Sequence, residues 1–221
     1  MKFPTFKYET EKYQQGVNLV AGCDEVGVAP LAGPVVSAAV ILDRESINGR
    51  RTKSKWWYRV RDSKTVNEKE RGVLVEFIKE HCLSWGVGIV SHETIDTVNI
   101  YHAAMAAMKQ AINAMSTQPE FVFIDGNHKV KDLLNVKQEP VIDGDAKILS
   151  ISAASIIAKV TRDKILNELH QLHPFYNFHL NKGYPTKFHR EALVKYGPSP
   201  VHRKSFGLVQ QSLQQALPLQ V

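Results

Sequence analysis

The sequence predicts an α/β fold on an open sheet, and three observations predict it. Short apolar runs with the residue types of strands alternate along the chain with longer stretches of helical periodicity. Three of those runs stop at acids: Asp24 with Glu25, then Asp125, then Asp143 with Asp145. No repeat or low-complexity linker interrupts the order, and 221 residues suit one large domain or a domain with an appendage.

The first strand is expected over Val17, Leu19, Val20 and Ala21, ending at Asp24 and Glu25, and the second over residues 35–42. A basic loop follows. A helix is expected from about 67 to 81, opened by Asn67 with Glu70 three residues on. Residues 83–90 read as a strand, since Gly86-Val87-Gly88 lacks the third glycine of a dinucleotide fingerprint. An alanine-rich helix is expected over 92–115, with Met105, Met108, Ile112 and Met115 as its core stripe. Residues 121–124 and 140–142 are short buried strands running into Asp125-Gly126-Asn127 and Asp143-Gly144-Asp145. A long helix follows at about 150–172, then mixed loop and helix through 187–196. Residues 210–217 read as a terminal helix, because they lack the paired aromatics of a sliding-clamp peptide.

Neighbouring strand residues point to opposite faces. Asp24 and Glu25 would therefore reach two different ions, or one ion from two sides if the strand bends at Gly27. In open α/β sheets, sites gather where strand ends meet. Hard divalent cations take a few carboxylates plus water and substrate phosphate. Two such ions about 4 Å apart activate a water and stabilise a leaving oxygen. Without metal, such carboxylates repel one another and are harder to ionise.

The formal charge of +6 and pI near 9.2 favour a polyanionic partner. Much of that charge lies in Arg50, Arg51, Lys53, Lys55, Arg59 and Arg61, interleaved with Trp56, Trp57 and Tyr58. Either this loop grips phosphates and stacks on bases, or it is a solvated loop whose aromatics tuck into the core. No Walker-type phosphate loop is present, and His170 with His173 has no further ligand at zinc spacing. Cys23 and Cys82 show no metal spacing and are expected to be reduced. No stretch approaches the roughly 18–20 apolar residues of a membrane span. The N-terminus lacks the apolar core of a secretory signal, so a cytoplasmic protein is expected.

Several blocks together resemble the type 2 ribonucleases H, the ribonuclease HII family. They are Gly22-Cys23-Asp24-Glu25-Val26-Gly27 with Pro30-Leu31-Ala32-Gly33-Pro34-Val35, then Asp62-Ser63-Lys64, Ile124-Asp125-Gly126-Asn127 and Gly144-Asp145. The serine-alanine block from Ser152 to Asp163, Lys182-Gly183-Tyr184-Pro185-Thr186, and His202-Arg203-Lys204-Ser205-Phe206 complete the series in family order.

The resemblance implies a ribonuclease H-like fold: a five-stranded mixed sheet flanked by helices. One catalytic domain over 1–221 is implied, with about 170–221 forming a helical part that grips the duplex. Cleavage of RNA in RNA–DNA hybrids, and of ribonucleotides embedded in duplex DNA, is implied, with Mg²⁺ or Mn²⁺ and with 3′-hydroxyl and 5′-phosphate products. By motif match Asp24, Glu25, Asp125 and Asp145 are the metal-binding carboxylates. Tyr184 matches the tyrosine that stacks on the sugar beside the ribonucleotide, and Lys64 lies near the substrate backbone. Ser152 and Ser155 are expected to cap or orient the helix beside the site. A monomer is expected, and the absence of an extra N-terminal module favours type 2 over type 3.

Two positions depart from the family pattern. Gly27-Val28-Ala29 stands where Gly-Arg-Gly usually reads the 2′-hydroxyl, which puts junction selectivity in question. Asp143 replaces a residue that is usually basic, two before Asp145, and strand alternation would put both acids on one face. Two other readings share some of these features. A resolvase or transposase core would share the acids without the Gly-Tyr-Pro-Thr block. A binding protein that had lost catalysis would have no reason to retain all four carboxylates.

Overall fold

The structure is a computed structural model that describes residues 3–133 and 136–215. Its elements are α1 (Lys7–Gln14), β1 (Val20–Val26), β2 (Val35–Leu42), α2 (Glu68–Glu80), β3 (Cys82–Val90), α3 (His92–Val98) and α4 (Ile100–Asn113). There follow β4 (Phe121–Asp125), β5 (Lys137–Val141), α5 (Leu149–Leu172), α6 (Phe178–Asn181), α7 (Lys187–Tyr196) and α8 (Gly207–Gln215). Residues 216 and 217 of the expected terminal helix lie outside the described residues. No described helix is long and apolar enough to cross a membrane.

The five strands form one mixed sheet in the order β3-β2-β1-β4-β5. β1 runs antiparallel to β2 and parallel to β4, and β4 runs parallel to β5. The chain divides into two compact units. The first comprises residues 1–26, 36–89 and 105–160, and the second comprises 27–35, 90–104 and 161–221.

Strand alternation sorts the core of the first unit. Ala21 and Cys23 of β1, with Val122 and Ile124 of β4, pack on Met108, Ala111, Ile112 and Met115, so the methionine stripe is core as expected. The intervening residues Val20, Phe121 and Phe123 turn to the other face, against Ile148 and Ile151 with Tyr8 and Tyr13 of α1. The second unit has its own core, in which Leu31, Ala32 and Leu166 meet Tyr176, Phe178, Leu193 and Val209.

Several expectations need correction. β1 carries Asp24 and Glu25 near its end as expected, paired with Ala38 and Ser37 of β2, but it begins at Val20 rather than Val17 and runs one residue past the acids, to Val26. Acidic side chains do not interrupt a backbone ladder, so the end of an apolar run is a poor marker of the strand's end. The expected helix over 92–115 is two helices, broken at Asn99, which has φ 68°. Asn tolerates positive φ, and its Oδ1 accepts from the His102 amide, so this residue starts a new helix. The expected cap at Asn67 is present, its side chain accepting from the Glu70 amide. The basic loop is divided in its roles. Trp57 is buried, and Arg51 donates to the carbonyls of Pro4, Tyr58 and Val60, while Lys53 and Arg59 are exposed.

Candidate active site

The sheet register sets two carboxylates side by side. Cys23 of β1 is the partner of Ile124 of β4, so the next residue on each parallel strand is Asp24 and Asp125. Alternation turns both toward the face on which α5 begins, because Val20 and Phe123 already point there. Gly22 makes this approach possible. A Cβ there would sit 2.2 Å from the Ile151 amide nitrogen and 2.6 Å from Ser150 Oγ.

Each acid is then fixed by a different device. Asp24, only 5% exposed, accepts from the Glu25 amide through Oδ1 and from the Ser155 hydroxyl. Ser155 Oγ also lies 2.9 Å from Ser63 Oγ. When Asp24 is ionised it can only accept, and the protons then run from Ser63 to Ser155 to Asp24. Neither Ser152 nor Ser155 caps α5. Both lie inside it, where Ser155 orients a carboxylate and Ser152 Oγ is buried without a partner.

Ser63 explains the middle of the Asp62-Ser63-Lys64 block. Asp62 caps a 3-10 turn by accepting from the Lys64 amide, and buried Arg71 donates to the carbonyls of Ser63 and Val66. That turn leaves the Lys64 ammonium among the acids. Burial works to lower its pKa, but Asp145, Asp62, Asp24 and Asp125 together raise it.

Asp125 Oδ1 accepts from the amides of Gly144 at 2.7 Å and Asp145 at 3.4 Å. The end of β4 therefore places the turn that carries Asp145. Asp143 does not share a strand face with Asp145, because β5 ends at Val141 and Asp143 is a left-handed residue (φ 53°) before a 3-10 turn. It is exposed, whereas Asp145 is half-buried.

All four acids are harder to ionise than free carboxylates. Burial, then repulsion from Glu25 and Asp125, raises Asp24 well above its usual range. Burial and Asp125 push Glu25 to about 7, and burial and the same neighbour push Asp145 to about 6. Asp125 is raised by burial against the pull of its two amide donors and Lys64. Glu25 Oε2 is buried with no hydrogen-bond partner.

Among the described residues, no three His, Cys, Asp or Glu side chains are grouped closely enough to hold a metal ion by themselves. Mg²⁺ does not need such a group, since it keeps several waters and binds through one or two carboxylates plus substrate phosphate. An all-oxygen donor set, short of positive charge and with an orphaned oxygen, fits hard divalent cations.

The remaining expected residues lie in the second unit. Gly27 is buried at φ 98°, and a Cβ there would sit 2.2 Å from Arg162 Nε, so only glycine fits. Val28 and Ala29 are exposed. Arg203, fully buried, donates to the carbonyls of Gly27, Val28, Pro30, Gly33 and Pro34. Arg162 donates to those of Pro34, Ala32 and Lys182. Arg203 thus holds the tripeptide directly, through the Gly27 and Val28 carbonyls, while Arg162 holds the Ala32 and Pro34 carbonyls that follow it. Burial lowers both, to about 10 for Arg162 and about 9 for Arg203, and both stay charged at neutral pH.

Tyr184 is 39% exposed, and its carbonyl meets His189 Nδ1 at 2.8 Å. His189 Nε2 lies 2.9 Å from His202 Nε2, and His202 Nδ1 accepts from the Ser199 amide. One neutral arrangement satisfies this chain: His202 donates through Nε2 to His189, which donates through Nδ1 to Tyr184. Sequence reading missed both arginines' clamping role and this histidine pair.

Comparison with known proteins agrees with the geometry. The family model described as Ribonuclease HII matches residues 21–209. A Ribonuclease HII of Caldanaerobacter subterraneus subsp. tengcongensis is 45% identical over 206 residues, covering 93% of this chain and 79% of its own. One from Acetivibrio thermocellus is 46% identical over 200 residues, covering 90% and 73%. Among solved structures, the ribonuclease H2 of Pyrococcus horikoshii OT3 superposes with TM-score 0.73 at 23% identity, over 90% of this chain and 98% of that one. Bst-RNase HIII in complex with Mn²⁺ gives 0.70 at 20% identity, over 91% and 71%. These two likenesses support the ribonuclease H-like fold expected above. With that family match over most of its length and with a mixed five-stranded sheet, the chain belongs to the ribonuclease HII family.

Proposed function

We propose that this chain, an RNA–DNA hybrid endoribonuclease, works through Asp24, Glu25, Asp125 and Asp145 as ligands for two Mg²⁺ or Mn²⁺ ions. The observation that carries the reading is the set of four under-compensated carboxylates, all raised in pKa, with Glu25 Oε2 lacking a partner. When bound, the ions supply charge for the attacking water and the leaving oxygen of a phosphodiester. The chain's own part is orientation. Ser63 and Ser155 hold Asp24, the Gly144 and Asp145 amides hold Asp125, and Lys64 offers a cation to the substrate phosphate.

The substrates are uniform hybrids and ribonucleotides embedded in duplex DNA, leaving 3′-hydroxyl and 5′-phosphate ends. Gly27, Val28 and Ala29 present backbone groups to the 2′-hydroxyl, and Tyr184 stacks on the adjoining sugar. The whole chain acts as one catalytic domain, monomeric and cytoplasmic, with about 170–221 gripping the duplex. Asp125→Asn should abolish cleavage of both substrates while circular dichroism and metal-free hybrid binding stay near parental. Cleavage by Asp125→Asn at near the parent rate would overturn the assignment.

A further inference from the structure

The basic loop and α2 line an open cavity of about 580 Å³ that the carboxylate site does not use. That volume is in the range of small-ligand pockets. Its apolar wall is Trp56 with Val73, Leu74 and Phe77. Lys69, Val73 and Phe77 recur at four-residue spacing and therefore form one stripe along the helix. Val73 is 53% exposed and Phe77 40%, which leaves a large apolar surface facing solvent. The Trp56 ring is braced from outside the cavity lining by stacking on His81, with centroids 4.9 Å apart.

Lys53, Lys55, Arg59 and Lys69 supply cations to the lining, against one carboxylate, Glu70. Glu70 is already shared by Arg59 and Arg61, each at 3.7 Å. Lys55 donates to the Asn48 amide oxygen, not to an acid. The cavity thus pairs an aromatic and aliphatic wall with surplus positive charge. A ligand complementary to it has a flat ring and an attached phosphate.

We infer that this cavity is a nucleotide site, receiving a base against Trp56, Val73 and Phe77 and its phosphate on Lys53 and Lys69. Two sources share this chemistry: a free nucleotide, or an unpaired nucleotide of a bound strand. Asn67, which lines the cavity, is three residues from Lys64, so their Cα atoms are at most about 11 Å apart. A strand with a phosphate at Lys64 rises about 3.4 Å per nucleotide. The cavity edge is then within roughly three nucleotides of the cut. This second source rests on the proposed cleavage site, and nucleotide binding as such does not.

The test uses the full chain without metal, so that no cleavage occurs. AMP is titrated by calorimetry and by tryptophan fluorescence, beside adenosine and inorganic phosphate alone. AMP should bind about tenfold more tightly than either fragment. Phe77→Asp, Lys69→Glu and Lys53→Glu, all at exposed positions, should each weaken it by about tenfold. A second arm compares blunt hybrids with hybrids that carry a short unpaired extension. A preference for the extension that collapses in Phe77→Asp identifies a strand nucleotide as the source, and AMP binding without such a preference identifies a free one. If neither AMP nor the extension binds preferentially, or if the substitutions leave both unchanged, the nucleotide site is refuted. Asp125→Asn should leave AMP binding intact, so failure of the cleavage assignment reads separately.

Discussion

The two units bury charge in opposite ways. At the carboxylate site like charges gather, every acid is raised in pKa, and Lys64 is the cation that opposes the rise at Glu25, Asp125 and Asp145 alike. In the second unit Arg162 and Arg203 are more deeply buried, yet eight donor contacts run from their guanidiniums to backbone carbonyls. A buried charge with all its partners present is structural. One left short of partners marks a place where something else binds. Burial alone does not distinguish the two.

The sharpest way to break the contrast is to remove one charge from each side. Asp145→Asn should lower cleavage by at least about a hundredfold, since on the proposed assignment it removes a metal ligand with little change in volume. Asp143→Asn, at an exposed left-handed position, should change apparent metal affinity only a few-fold. A metal titration of both mutants checks this, and a larger loss at Asp143 would reverse the assignment.

Arg203→Gln should act on stability. It removes the guanidinium's contacts to five carbonyls, of which only that of Pro34 keeps a donor in Arg162, and should cost about 3–5 kcal/mol. The melting temperature should then fall by on the order of 10 °C. A shift below about 2 °C would show that the clamp is redundant.

Asp145→Asn should have the opposite effect on the metal-free fold. Asp145 titrates near 6 in the folded chain, above its ordinary 3.8. Its contribution to stability is therefore present below about 3.8 and lost as pH rises through 6. At pH 8 the asparagine should be more stable by about 1–2 kcal/mol once solvent screening is allowed for. At pH 3 the difference should vanish, and thermal melts in chelator at both pH values test it.

The smallest effect concerns the tripeptide. Because Arg203 already holds the Gly27 and Val28 carbonyls, Val28→Arg with Ala29→Gly should raise single-ribonucleotide incision over hybrid cleavage only a few-fold. Catalytic efficiencies on the two substrates decide it, and an unchanged ratio would mean that the side chains do not limit junction reading.

Much of this was legible in the sequence where one residue type has one use. β2, α7 and the Asn67 cap follow from β-branched runs, helical periodicity and cap chemistry. The four acids were found through their motifs. Less legible were features that depend on a distant partner. Ser155 was expected to cap or orient a helix and Ser63 stood only within a family block, because the bond that joins them spans positions 92 apart in sequence. Arg162 stood in the sequence only as part of the family block from Ser152 to Asp163, yet a signal of its burial was there. Its neighbours one turn away on either side, Ala158 and Leu166, are apolar, and all three prove fully buried. Asn99 was hidden by the alanine-rich pattern around it.

Gly22 has a consequence for anyone moving this site to another scaffold. It binds nothing, but a methyl group in its place would collide with the backbone at Ile151 and push the start of α5 off the sheet. Ser155 travels on that helix, so Asp24 would lose its hydroxyl donor while every acid stayed in place. A transplant that copies the four carboxylates and omits this glycine would carry every acid and still be misaligned. The transferable unit is the spacing between a strand and a helix, and the acids are what that spacing makes usable.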